Sequence, residues 1–142
     1  MDTHEFASIV RGNPINRAIL ELLPETGLSD VWLVSGCLFQ TVWNSKTGRA
    51  PDYGIKDYDL FYYDNSDLSW DAEDAAIHQA MRALAGIDAE IEIRNQARVH
   101  LWYPEKFGVP YEPLQRATDG IDSFLATACM FGVAGPVNDV AN

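Results

Sequence analysis

The chain has 142 residues, 47% of them hydrophobic, which suits one folded domain with a real core and excludes a disordered chain. Its net charge of −11 disfavours a broad electrostatic grip on duplex nucleic acid. No apolar run approaches the roughly 20 residues of a membrane span, and the acidic N-terminus MDTHEFASIV lacks the basic start of a secretory signal. Cys37 and Cys129 form no metal or disulfide spacing, so both read as free thiols in a reducing cytoplasm, packed as small hydrophobes.

In chain order, residues 1–27 form an N-terminal helix region, 28–133 the core and 134–142 a tail. Asn13-Pro14 predicts an N-cap and first helical position, with a helix to about Leu23 that Pro24 and Gly27 stop. The apolar run Val31 to Val34 predicts a buried strand, and Gly36 breaks it. Leu38, Phe39, Val42 and Trp43 have helical spacing, so a short helix follows. Residues 44–55 read as a loop, marked by Gly48, Pro51 and Gly54. KDYDLFYY (56–63) is the clearest strand.

Ser69 is a good N-cap for a helix through Ala85, with Ile77, Ala80, Met81 and Leu84 on one face. DAEIEIR (88–94) alternates strictly, Ile91 and Ile93 opposing Glu90 and Glu92. ARVHLWY (97–103) reads as a further strand paired with it through Asn95-Gln96. Thr118 caps a short helix to about Leu125, 127–133 is a last strand, and the tail carries no element. The sum is an α+β chain with a small mixed sheet flanked by helices.

The acid excess is local. Residues 51–74 hold eight acids and one base, Lys56. Acids in a first helical turn meet the positive end of the helix dipole, but Asp57 and Asp59 lie inside an aromatic run, where they are costly unless compensated. Two apart on a strand, they present two carboxylates to one side. Such a pair repels, and a divalent cation is its natural partner. A third carboxylate from a neighbouring strand, Glu92 or its rival Glu90, could complete a clamp. Upstream, Ser35-Gly36-Cys37 joins a strand to a helix, where backbone N–H groups favour an anion. Plainer readings stand beside these: a solvated strand edge for Asp57-x-Asp59, a tight turn for Gly36, a wet strand face for Glu90 and Glu92.

In this order the three features resemble the nucleotidyltransferase superfamily that includes polymerase β. They are more similar still to a bacterial family of nucleotidyltransferases whose substrate is unassigned. The carrying segments are WLVSGCLFQTVWN (32–44), GIKDYDLFYYDNSDLSWDAED (54–74) and IEIRNQARVHLWYPEKFG (91–108). The resemblance implies a minimal nucleotidyltransferase fold over about residues 28–133, with Asp57, Asp59 and Glu92 holding Mg²⁺ or Mn²⁺. Ser35, Gly36 and Cys37 would form the phosphate-side turn of a nucleoside triphosphate site, aided by Lys56, Arg94 and Arg98. The expected reaction transfers a nucleoside monophosphate to an acceptor the sequence does not name.

Three departures accompany the resemblance. Cys37 stands where a small polar residue is usual. The gap from Gly36 to Asp57 is long, so 44–55 reads as a lid or substrate-selecting loop. Family members continue past the strand matched by 127–133, so this chain reads as shortened, with apolar surface that a homodimer could cover. The competing expectation is a catalytically inactive nucleotide-binding or protein-interaction module on the same fold. Arg94, Asn95, Arg98 and His100 cluster after the third carboxylate; the arginines are read either as a triphosphate cradle or as salt-bridge partners of the acidic segment, and His100 as a base or a hydrogen-bonded structural histidine. The tryptophans and Tyr58, Tyr62 and Tyr63 are read mostly as core and sheet packing.

Overall fold

The computed structural model describes residues 2–34, 36–98, 101, 116, 132–134 and 139–141. Asp2 caps α1 (Thr3–Arg11) by accepting from the Glu5 N–H at 2.8 Å. Asn13 caps α2 (Pro14–Leu22), accepting from Ile15 and Asn16. A 3₁₀ turn over Leu23–Thr26 leads to β1 (Trp32–Val34). Then come α3 (Gly36–Lys46), β2 (Asp57–Tyr62), α4 (Trp70–Ala83, capped by Ser69) and β3 (Glu90–Asn95). Two short strands, β4 (Gly132–Ala134) and β5 (Asp139–Ala141), complete the described elements.

The sheet runs β3-β2-β1-β4-β5. Among the described strands only the β2–β3 pair is parallel; β1 is antiparallel to both β2 and β4. The α4 crossover supplies the length that a parallel connection needs. The sheet is mixed, as the sequence predicts, but its antiparallel part lies elsewhere. Among the described residues of the expected 97–103 partner of β3 none is in a strand: Gln96–Arg98 is a 3₁₀ turn and Leu101 is helical. The Asn95 side chain stops the strand by accepting from Ala97 N–H at 3.0 Å and by bonding both backbone groups of Asp64.

Three further expectations change. The first helix, α1, is additional, and β5 lies in a tail where no element is expected. Gly36 opens α3 rather than merely breaking a strand, and the helix runs on to Lys46. The last strand begins within the expected 127–133 segment, at Gly132; residues 127–131 and the Thr118–Leu125 helix lie outside the described residues, as do His100, Trp102 and Cys129.

Alternation along β2 decides where everything else sits. Tyr58, Leu60 and Tyr62 are buried on one face, joined by Leu33 and Ile93 at matching register. Ile19, Leu20 and Leu23 from the N-terminal helical region, Leu38 from α3, and Ala80 and Leu84 from the α4 region close that core. Burying a side chain such as Leu60 contributes about 1.5–3 kcal/mol. Asp57, Asp59, Glu90, Glu92 and Arg94 share the opposite face. Two tryptophans depart from the packing expectation. Trp70 is 64% exposed, and Trp43, stacked on Phe39, is 52% exposed.

A buried polar network fixes the helices to β2. Asn13 Nδ2 donates to Tyr58 OH at 3.1 Å and Thr41 Oγ1 at 3.3 Å. Asn16 Nδ2 donates to Thr41 Oγ1 and to the Val10 carbonyl. Among the described residues no helix is long and apolar enough to cross a membrane.

Candidate functional site

Parallel pairing puts Asp57 opposite Glu90 and Asp59 opposite Glu92. Which glutamate joins the aspartates is then a matter of side-chain reach. Asp57, Asp59 and Glu92 bring one carboxylate oxygen each to within 4.8 Å of one another; Glu90 does not belong to this group. Glu92 is exposed and the aspartates half-buried, so the cluster opens to solvent through β3.

Its electrostatics are those of crowded anions. The Asp59 carboxyl is pushed up to about 6, first by burial, then by the charges of Asp57 and Glu92, against a smaller lowering by Arg94. Burial penalises the ion, and two like neighbours add to that. Three oxygens gathered this closely suit a hard cation with oxygen ligands, such as Mg²⁺ or Mn²⁺.

Beside the carboxylates lies an open cavity of about 270 Å³, lined by Gly36, Cys37, Gln40, Gly54, Ile55, Lys56 and Asp57. Gly36 faces open space: a Cβ there would meet nothing within 4 Å. The backbone start of α3, an eleven-residue helix, is thus accessible to an anion. The Cys37 side chain turns the other way. It is buried, its Sγ contacts the Val34 carbonyl at 3.4 Å, and burial pushes its thiol up to about 12. Ser35 lies outside the described residues.

The segment after α3 forms the other wall. Asn44 Nδ2 donates to the carbonyls of Pro51 (3.0 Å) and Tyr53 (2.8 Å), and Arg49 stacks over the Tyr53 ring. At φ +74° Gly54 adopts a left-handed turn that redirects the chain into β2. The long gap between Gly36 and Asp57 is therefore taken up by a longer α3 and a stapled turn.

The predicted cationic residues separate. Lys56 is exposed and lines the cavity. Arg94 shares the carboxylate face and donates to the Ile93 carbonyl at 3.2 Å. Arg98 is engaged within the fold. It pairs with Glu73 at 2.5 Å, both side chains largely buried, and its Nε donates to the Leu68 carbonyl. Arg98 lies in the 3₁₀ turn after β3, and its pairing with Glu73 matches the salt-bridge reading. Asn95 is likewise engaged, its N–H donating to Glu73 Oε2 at 2.8 Å.

Sequence reasoning passed over Gln40, Gly54 and Ile55. The signal for Gln40 was present: it lies four residues after Gly36 on one face of α3.

A family model described as nucleotidyltransferase matches residues 21–140. A solved NMR structure, described as revealing a CCA-adding enzyme head domain, superposes with a TM-score of 0.70 at 19% identity. That match covers 92% of this chain and 64% of the other, and at this identity the likeness is one of fold. No curated protein sequence matches the chain.

Proposed function

Because the chain belongs to the nucleotidyltransferase family, we propose that it transfers a nucleoside monophosphate from a nucleoside triphosphate to an acceptor, using a divalent cation. The observation that carries this reading is the convergence of Asp57, Asp59 and Glu92 next to an open cavity with a helix start in its wall. The three carboxylates would hold Mg²⁺ or Mn²⁺. When bound, such an ion neutralises phosphate charge and aligns the attacking and leaving oxygens.

The chain's own groups do the rest. The Gly36 and Cys37 N–H groups bind phosphate oxygens at the start of α3. Lys56, on the cavity wall, offsets phosphate charge, and Arg94 does so from the carboxylate face. An acceptor hydroxyl or amine attacks the α-phosphorus; a new bond to phosphorus forms, the α–β bridge breaks, and pyrophosphate leaves. Catalysis is positioning plus charge stabilisation. A cytoplasmic location, where triphosphates are available and thiols stay reduced, goes with this proposal.

A second reading keeps the fold and the ligand without turnover. The commitment of Arg98 to Glu73 favours it, because one predicted phosphate partner is withdrawn. One experiment separates the two. Thermal unfolding is followed with each ribonucleoside triphosphate, with and without Mg²⁺ or Mn²⁺, and pyrophosphate release is followed in parallel. A ligand at about 100 times its Kd adds about 2.7 kcal/mol, several degrees at this size. Metal-dependent shifts that Asp57→Asn abolishes, with pyrophosphate released, support the enzyme. Shifts without release support the binding module, and no shift removes both readings.

A further inference from the structure

Gln40 sits on the cavity wall with the orientation of its amide decided by its neighbours. Asn44 is buried and spends its Nδ2 protons on the Pro51 and Tyr53 carbonyls. Its Oδ1 can therefore only accept, and Gln40 Nε2 donates to it at 2.9 Å. The reversed amide would set two oxygens against each other. Gly54 agrees with this orientation: a Cβ built there would lie 3.7 Å from Gln40 Nε2 and 3.9 Å from Cδ, with Oε1 farther off. The amide nitrogen is thus turned to the loop wall, and Oε1 has no partner among the described residues.

We propose that Gln40 Oε1 reads a hydrogen-bond donor on the bound nucleotide, a sugar hydroxyl or a base amine, and that Asn44 is the positioning residue that holds it. The inference rests on the nucleotide reading of the cavity given above. A phosphate oxygen only accepts, so it gains nothing from Oε1 and is repelled by it. Gln40 lies four residues from Gly36, about 6 Å along the axis of α3. That distance leaves the helix start to phosphate and gives Gln40 a different part of the same ligand. Asn44 links Gln40 on one wall of the cavity to the 51–54 turn on the other.

The test is calorimetric titration, in Mg²⁺, of wild type and Gln40→Met. The probes are the four ribonucleoside triphosphates, their 2′- and 3′-deoxy counterparts, base analogues lacking the exocyclic amine, and inorganic tripolyphosphate. Wild type is expected to bind the full nucleotide about three- to tenfold more tightly than the analogue missing the relevant donor, the worth of one hydrogen bond. The deoxy and base series identify which donor it is. Gln40→Met should remove that preference and leave tripolyphosphate binding unchanged.

Equal weakening of tripolyphosphate would assign Gln40 to the phosphates and overturn the proposal. So would a wild type indifferent to every missing donor, a comparison that needs no variant to fold. If wild type binds neither nucleotide nor tripolyphosphate, the nucleotide reading itself fails and this inference goes with it. Asn44→Ser, which shortens the link to Gln40, should reduce the donor preference without abolishing tripolyphosphate binding; an unchanged preference would overturn the positioning role.

Discussion

Asp59 and Glu92 stand opposite each other across the one parallel strand pair of the sheet, and with Asp57 they bring their carboxylate oxygens within 4.8 Å. Everything proposed for this chain follows from that juxtaposition, because it concentrates negative charge where the packing of the strands leaves little freedom to relieve it.

The first consequence is a pH signature. The Asp59 carboxyl is raised from 3.8 to about 6, so the folded chain binds a proton that the unfolded chain has already released. Stability contributed by this group is full below about pH 4 and is lost as pH rises toward 6 and beyond. Relative to Asp59→Asn, wild type should lose on the order of 1–2 kcal/mol across that window, since solvent at this half-buried carboxyl screens part of the effect. Urea midpoints of both proteins at pH 4, 5, 6 and 7 without metal measure the difference. A constant difference across the series would contradict the crowding of Asp59.

Glu90 and Glu92 should behave differently. Glu92→Gln is expected to abolish the thermal shift produced by Mg²⁺ or Mn²⁺ with nucleotide. Glu90→Gln should leave it within about a degree, because Glu90 lies outside the carboxylate group. Equal loss in both would show that only general surface charge is being sensed.

Arg98 and Glu73 predict a structural defect. Their side chains are only 14% and 11% exposed, so removing either partner leaves a largely buried charge alone. Arg98→Met should destabilise the chain by about 3 kcal/mol in denaturant unfolding. The folded fraction should bind nucleotide with unchanged Kd. A large Kd change at unchanged stability would return Arg98 to the site.

Cys37 should be chemically silent. With its thiol buried and pushed up to about 12, alkylation by iodoacetamide at pH 8 should proceed only through opening of the fold. Peptide mapping should find Cys37 unmodified in native protein and labelled in urea. Rapid native labelling would mean the thiol is presented to the cavity.

Asn13→Ala tests the frame under the site. It removes a helix cap together with the donors to Thr41 and Tyr58, so a loss of about 2 kcal/mol is expected. Tyr58 lies between Asp57 and Asp59, so the metal response of the folded variant should weaken as well.

The sequence made the site's parts legible through local rules. Alternation gave β2 and the faces of Asp57 and Asp59; Asn13 and Ser69 announced two helices; Ile91 and Ile93 fixed the parity of β3. The choice of Glu92 over Glu90 was not written locally, because it depends on side-chain reach between two strands whose paired residues lie far apart in the chain. The turn that carries Arg98 was not legible for a related reason. Continued alternation past Asn95 predicts a strand, whereas the Asn95 side chain and Glu73, from the first turn of α4, end it. The helix after β1 starts at Gly36, ahead of the apolar spacing that begins at Leu38, and that start was not legible because glycine is a weak helix former whose usual meaning is a break.

The parity of β3 also sets which insertions and deletions this chain can survive. One residue added between Glu90 and Glu92 would turn Ile93 outward and drive Glu92 into the core, losing packing and chemistry in one event. The same residue added between Leu84 and Ala89 could be absorbed before pairing begins. A library of single-residue insertions should therefore show a sharp border at the entrance to β3, tolerant on one side and empty on the other.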